Sequence, residues 1–351
     1  MIRKLHERRS RKKLDASQES QAVHSSSMSN RNLAIASTVL VFVCLSCQPL
    51  PRGVQAVPAN TPHTANTSEN RSITGTYGAP STVATIRSPS VVESSGLVAS
   101  HNAPGVYWTH NDSGDGPFIY AFDSRGESRG VWRVVGAKAD DWEDISVGPG
   151  GVPGRPYLYI GDIGDNNASR LEIVVYRTSE PVIVAADTTS TKTKPRLTEP
   201  ADAIRLRYPD GKHDAEALLV DPASGNIYIV TKIAFAKPSV YEAVAPLNAT
   251  EVTTMKRVGD IRVPSLFGGV ITGGSVSPDG RRVALCDYFE GYELVLPKGR
   301  PNFEDIWKQR MTTIDLGKRK QGEAIAYRLD GKALLTTSEG KRSPLIQVVR
   351  R

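Results

Sequence analysis

Asp214-Ala215-Glu216-Ala217-Leu218-Leu219-Val220-Asp221-Pro222-Ala223-Ser224-Gly225-Asn226-Ile227-Tyr228-Ile229-Val230-Thr231 carries the pattern on which the fold turns. A short acidic turn tips into an apolar run. Asp-Pro and Ser-Gly-Asn then reverse the chain, and a second β-branched run returns antiparallel. The opening pentad recurs as Glu93-Ser94-Ser95-Gly96-Leu97, Asp141-Trp142-Glu143-Asp144-Ile145, Thr272-Gly273-Gly274-Ser275-Val276 and Gln321-Gly322-Glu323-Ala324-Ile325. Counted between the apolar residues, the steps are 48, 73, 58 and 49 residues. A strand-rich unit recurring near fifty residues is the mark of a β-propeller, one unit per blade.

Four strands can be counted in a unit. In the third they fall at 217–220, 227–231, 240–244 and 255–263. The fifth unit supplies only three, at 324–327, 333–336 and 345–349, while a spare strand at 83–86 precedes the first pentad. Pairing that spare strand into the last blade would remove the open edge of the ring. The expectation is a single all-β domain over 82–351, a propeller of four-stranded blades closed by an N-terminal strand. Five blades follow from the motif count. Six remain open because the 73-residue step holds additional sequence, of which 188–194 reads as an insertion.

The N-terminal segment has a different character. Residues 33–46 form an apolar run of 14 behind a basic leader, short for a bilayer span. Val54-Gln55-Ala56 places small residues where signal peptidase prefers them, so 1–56 reads as a signal peptide, long enough that Met28 offers an alternative start. Residues 57–81, rich in Thr, Asn, Ser and Pro, read as a disordered tether. The expected location is secreted or periplasmic, with no transmembrane span in the mature chain. The alternative is a lipid anchor through Cys47. Cys44 and Cys47 lie in the export segment, which leaves Cys286 alone, buried on a second strand and without a disulfide partner.

The formal net charge of +7 does not describe the domain. Residues 1–32 hold eight Lys/Arg against three acids and account for five of those charges. The remainder is near neutral and has no basic run interleaved with aromatics, so nucleic-acid binding lacks an electrostatic basis.

In a blade, the turn entering the first strand and the turn leaving the second lie on one face. Those turns carry Glu93, Asp141, Glu143, Asp144, Asp214, Glu216 and Glu323 on entry. On exit they carry Asp112, Asp115, Asp162, Asp165, Asp287, Glu290 and Glu339. Two carboxylates about 6 Å apart repel by roughly 3 kcal/mol at an effective dielectric of about 20. Such a ring must take a cation, pair with Lys or Arg, or hold protons. Oxygen donors in Gly-containing turns suit Ca²⁺ first and Mg²⁺ or Mn²⁺ second. The expected metal ligands are Glu143, Glu216, Glu323, Asp162, Asp165 and Asp112. Trp142, Arg170, Lys232 and His110 are the candidates for contacting a ligand, although inter-blade packing is the stronger reading for Trp142 and the cations serve equally as neutralising partners. No Gly-x-Ser-x-Gly elbow is present, and no helix follows Gly161 to make a phosphate loop. Any catalysis would therefore use metal-activated water or a carboxylate base, with Asp144 and Glu339 as candidates.

The segments Glu93-Ser94-Ser95-Gly96-Leu97, Trp108-Thr109-His110-Asn111-Asp112-Ser113-Gly114-Asp115, Asp141-Trp142-Glu143-Asp144-Ile145 and Gly161-Asp162-Ile163-Gly164-Asp165-Asn166 resemble exported bacterial β-propellers of the SdiA-regulated and phytase-like groups. The resemblance is close over about 90–180 and loose elsewhere. It implies a toroid outside the cytoplasm and, in the phytase-like branch, calcium-dependent hydrolysis of phosphate esters. The fourth pentad lacks an acid, and the supply of Lys and Arg at the mouth is thin for a polyphosphorylated substrate. Two functional readings follow. One is a Ca-binding module for an unknown small molecule or surface partner, and the other a Ca-dependent hydrolase of a phosphate ester or lactone.

Overall fold

The computed structural model describes residues 76–265 and 268–351. The segment read as an export leader, with Cys47, and most of the segment read as a tether lie outside the described residues. Among the described residues no helix is long and apolar enough to cross a membrane.

Five antiparallel sheets form the five blades of a propeller. The inner strands are Ser94–Ala99, Trp142–Pro149, Ala215–Val220, Gly273–Val276 and Gly322–Tyr327, each touching the next and the last touching the first. The second strands, Val106–Asn111, Pro156–Asp162, Ile227–Thr231, Arg282–Cys286 and Ala333–Ser338, run back beside them. Phe118–Asp123, Ile173–Ser179, Ser239–Ala243, Glu290–Val295 and Pro344–Val349 come third. The outer strands of blades one to four are Ser128–Arg133, Asp202–Arg207, Lys256–Asp260 and Thr312–Asp315. Blade five takes its outer strand from the other end of the described chain: Ser81–Thr85 pairs antiparallel with Pro344–Val349. Tyr77, inside the stretch read as tether, is already bridged to Arg350 and buried.

The count of five follows from where the apolar side chains go. Successive residues on a strand face opposite sides, so Leu218 packs toward blade two and Leu219 toward blade four. Inner strands are consequently buried on both faces over most of their length, and that of blade three, Ala215–Val220, is apolar except for Glu216. Five apolar clusters result, one at each interface between neighbouring blades.

The 73-residue step is accounted for without a sixth blade. After the third strand of blade two, the 3₁₀ turn Ala185–Thr189 leads to Arg196–Leu197, which pairs parallel to the outer strand of blade one. Ser190 Oγ accepts from Val131 N–H at 2.8 Å, and Arg196 pairs with the buried Asp187 at 2.6 Å. Val252–Thr254 covers the outer edge of blade two in the same way. Outer edges that would otherwise offer free backbone donors are thus occupied.

One irregularity aims the acids. The ladder between inner and second strands skips a register in four blades, between Ser94 and Leu97, Trp142 and Asp144, Ala215 and Ala217, and Gly322 and Ile325. A β-bulge leaves its extra residue unpaired and re-aims the side chain. The residues so released include Glu143, Glu216 and Glu323. Blade four pairs regularly from Gly273 onward and has Gly274 at the equivalent place.

Candidate functional site

The mouth is built from the turns before the inner strands and after the second strands. Its tightest feature joins blades one and two, where one carboxylate oxygen from each of Asp112, Asp141 and Glu143 lies within 4.8 Å of the other two. Gly164 permits that convergence. A Cβ there would stand 2.2 Å from Glu143 Oε1 and 2.4 Å from Asp141 Oδ2. Asp141 is held by its backbone, its N–H donating to Asp162 Oδ1 at 3.1 Å and its carbonyl accepting from Ile163 and Gly164. Asp112 spends one oxygen on the N–H of Ser113 at 2.5 Å.

Proton affinity follows from burial and crowding. Burial, then repulsion from Glu216, Asp112 and Asp141, pushes Glu143 well above the usual carboxylate range, with Lys232 acting the other way. Asp141 is raised to about 6 by burial and by Asp112 and Asp214. Glu216 is raised to about 7 by burial, a rise that its ion pair with Lys232 limits. Burial disfavours the Lys232 ammonium, but Glu216 and Tyr288 outweigh that and keep it charged, with Nζ 5.3 Å from the Tyr288 ring centroid. Glu323 is raised to about 9 by burial, with Glu339 and Glu216 adding to the shift. Its Oε1 accepts from Gln321 Nε2 at 3.0 Å, and its carboxyl faces that of Glu339, with which a hydrogen bond favours the protonated form. Glu93 is raised by burial and by Glu339 and Asp112.

The structure therefore brings Glu143, Glu216, Glu323 and Asp112 into one electrostatic field, joined by Asp141. Asp162 and Asp165 have other occupations. Asp162 accepts from the N–H groups of Asp140 and Asp141 and pairs with Arg170 at 2.8 Å. Asp165 accepts from Ser169 and Arg170 N–H within its own turn. Arg170 is accordingly a brace between Asp162 and the carbonyl of Gly164, and Lys232 is committed to Glu216.

His110, read as a ligand contact, is fully buried instead. So is Trp142, which packs between blades one and two in line with its stronger reading, and the two rings meet edge to face at 5.7 Å. The Trp142 indole donates to the Lys138 carbonyl at 2.8 Å, and His110 Nδ1 is 2.8 Å from the carbonyl of Asn111. Burial pushes the His110 imidazole below its ordinary pKa. Asp144, read as a water-activating base, has no exposure. Its Oδ1 accepts from Ile145 N–H at 2.8 Å, and Oδ2 accepts from Leu218 at 3.0 Å and Gly274 at 3.1 Å. Burial raises its pKa against the pull of these three donors. With both oxygens engaged by backbone donors, Asp144 ties the inner strands of blades two, three and four together. Glu339, the other candidate base, stays at the mouth, its backbone bridged to Glu93 and its charge felt by Glu323.

Asp141 is the member of the convergent triad that was not assigned as a ligand from sequence. The available signal was register: Glu93, Asp141 and Asp214 all stand four residues before the apolar residue of their pentads.

No family model matches the chain, and neither does any curated protein. Several solved structures are similar to it. The apo form of the soluble aldose sugar dehydrogenase from Escherichia coli aligns over 78% of this chain and 99% of its own, at 9% identity and a TM-score of 0.42. A nidogen/laminin complex aligns over 69% and 71%, at 15% identity and 0.37. Kuenenia stuttgartiensis hydrazine synthase aligns over 74% and 71%, at 11% identity and 0.38. Identities this low extend none of those proteins' activities to this chain.

Proposed function

We propose that the acidic mouth binds a divalent cation, Ca²⁺ in preference to Mg²⁺ or Mn²⁺. In this reading the propeller acts outside the cytoplasm, released or held by lipid at Cys47, and presents the filled mouth to a small molecule or a surface partner. The observation that carries the reading is the Asp112, Asp141 and Glu143 triad, with oxygens mutually within 4.8 Å and no His or Cys among them. At that separation each pair of ionised groups repels by about 3 kcal/mol at an effective dielectric of about 20, which a hard cation would convert into attraction. Glu323, crowded by Glu339 and Glu216, adds a further buried carboxyl at the same end of the channel. The SdiA-regulated and phytase-like resemblance points the same way.

The test is calcium titration followed by thermal melting and by calorimetry. An ion bound by the native state alone raises the melting temperature, and the expected affinity is on the order of 10⁻⁴ to 10⁻³ M. A flat melting temperature up to about ten times that range removes the cation reading.

One observation favours hydrolysis as a second reading. Glu323, held protonated at neutral pH beside Glu339, is what a general acid needs. Phosphomonoester and lactone substrates, assayed with and without chelator, test this. No turnover in either condition eliminates it.

A further inference from the structure

A cavity of about 500 Å³ lies at the far end of the channel from the acids, at the ends of the inner strands. Every blade contributes an apolar wall: Val98, Val147, Val220, Val276 and Leu329. Polar side chains stand between them, among them Ser146, Ser275, Ser277, His101, Asn102 and Arg155. Ser146, a mostly buried residue, and His101 both line the chamber. Asn102 gives its amide N–H to the Glu180 carbonyl and keeps its oxygen. Arg155 stands on the lining and pairs outward with exposed Glu199.

Charge separates this end from the other. No carboxylate lines the cavity. The acids on the surrounding elements are spent locally. Glu180 accepts from Ser100 Oγ, Trp108 Nε1 and the N–H groups of His101 and Asn102. Asp221 accepts from Ala223 N–H and Ser224 Oγ, and Asp279 from Ser277 Oγ and Arg281 N–H. Burial lowers the His101 pKa, which leaves the arginine as the cationic group of the lining.

A concave chamber of a few hundred Å³ that sets an apolar ring beside converging polar groups has the size and the mixed lining that an amphipathic small molecule needs. We propose that this basal chamber binds a small amphipathic molecule, its apolar body against the five-blade wall and a neutral or anionic polar end toward Ser146, Asn102 and Arg155. The site is independent of the cation at the opposite mouth.

The test uses the whole domain and a diazirine-bearing octanoate as photoprobe. The expected result is saturable labelling confined to peptides that contain residues 98–102, 146–156 and 275–278. Octanoate and octyl glucoside should suppress it, and octylammonium should not. Val147→Trp and Leu329→Trp, on two non-adjacent blades, should each lower labelling at a fixed probe concentration at least tenfold, while Glu143→Gln leaves it unchanged. Labelling scattered over the surface or found at the acidic mouth overturns the proposal, as does equal competition by octylammonium. If either tryptophan variant fails to fold, the label map and competition on the unaltered protein still decide the question.

Discussion

Asp144 Oδ2 accepts the backbone N–H of Gly274 at 3.1 Å, a bond between blades two and four that spans 130 positions of sequence. The same oxygen accepts from Leu218 in blade three, so one side chain staples three of the five inner strands. Asp144→Ala would leave three N–H donors without an acceptor, each worth about 1–3 kcal/mol when buried. We expect a loss of about 3 kcal/mol or more in urea denaturation, with no change in cation affinity. A loss under about 1 kcal/mol would show that the staple is dispensable.

The pH dependence of the cation-free protein should run opposite to ordinary acid denaturation. Asp141, Glu216 and Glu323 titrate at about 6, 7 and 9 when folded, all above their unfolded values. The native state then binds more protons than the unfolded state across that window, and stability falls as pH rises through it. Denaturation midpoints at pH 5, 7 and 9 should decrease in that order, and Glu323→Gln should flatten the upper limb. Saturating Ca²⁺ should reverse the trend between pH 6 and 9, since the cation and the protons compete for the same oxygens.

Lys232→Met removes the counter-charge of Glu216 in a setting where neither group is well solvated. Breaking such a pair costs about 3–5 kcal/mol when the remaining charge stays buried. The cost should be large at pH 8 and small at pH 5.5, where Glu216 takes up a proton. Equal destabilisation at both values would mean that lysine contributes packing alone.

Gly164→Ala places a methyl group where two carboxylate oxygens now stand. We expect at least a tenfold weaker cation affinity by calorimetry, with a melting temperature of the cation-free protein equal to or above that of the parent. Unchanged affinity would place the ion elsewhere in the mouth.

Much of this was legible because one local event repeats. Four of the five pentads couple a bulge to an acid or a small residue, so Glu143, Glu216 and Glu323 could be equated before their positions were known. The closing strand was legible from the missing fourth strand of the last repeat. Residues 185–198 were not, because a Thr- and Lys-rich segment with two strand residues gains its structure only from the blade-one edge it covers. Asp144, Trp142 and His110 shared a motif with the acids, yet strand alternation turns them inward. Asp162 and Asp165 carry the right chemistry for an ion, but nearby N–H donors and Arg170 claim their oxygens first. Composition cannot rank those competing partners, since the choice depends on loop geometry.

Ser81 sits opposite Gln347, 266 positions along the polypeptide. During synthesis, the opening strand of the ring leaves the ribosome long before the segment it must join. Throughout that interval its hydrogen-bonding groups stay available to any wrong neighbour, and the toroid stays an open arc. The last step of assembly therefore brings together two remote ends of the folded chain, and the rate of that encounter, more than the strength of any single blade, should set how quickly the ring becomes whole.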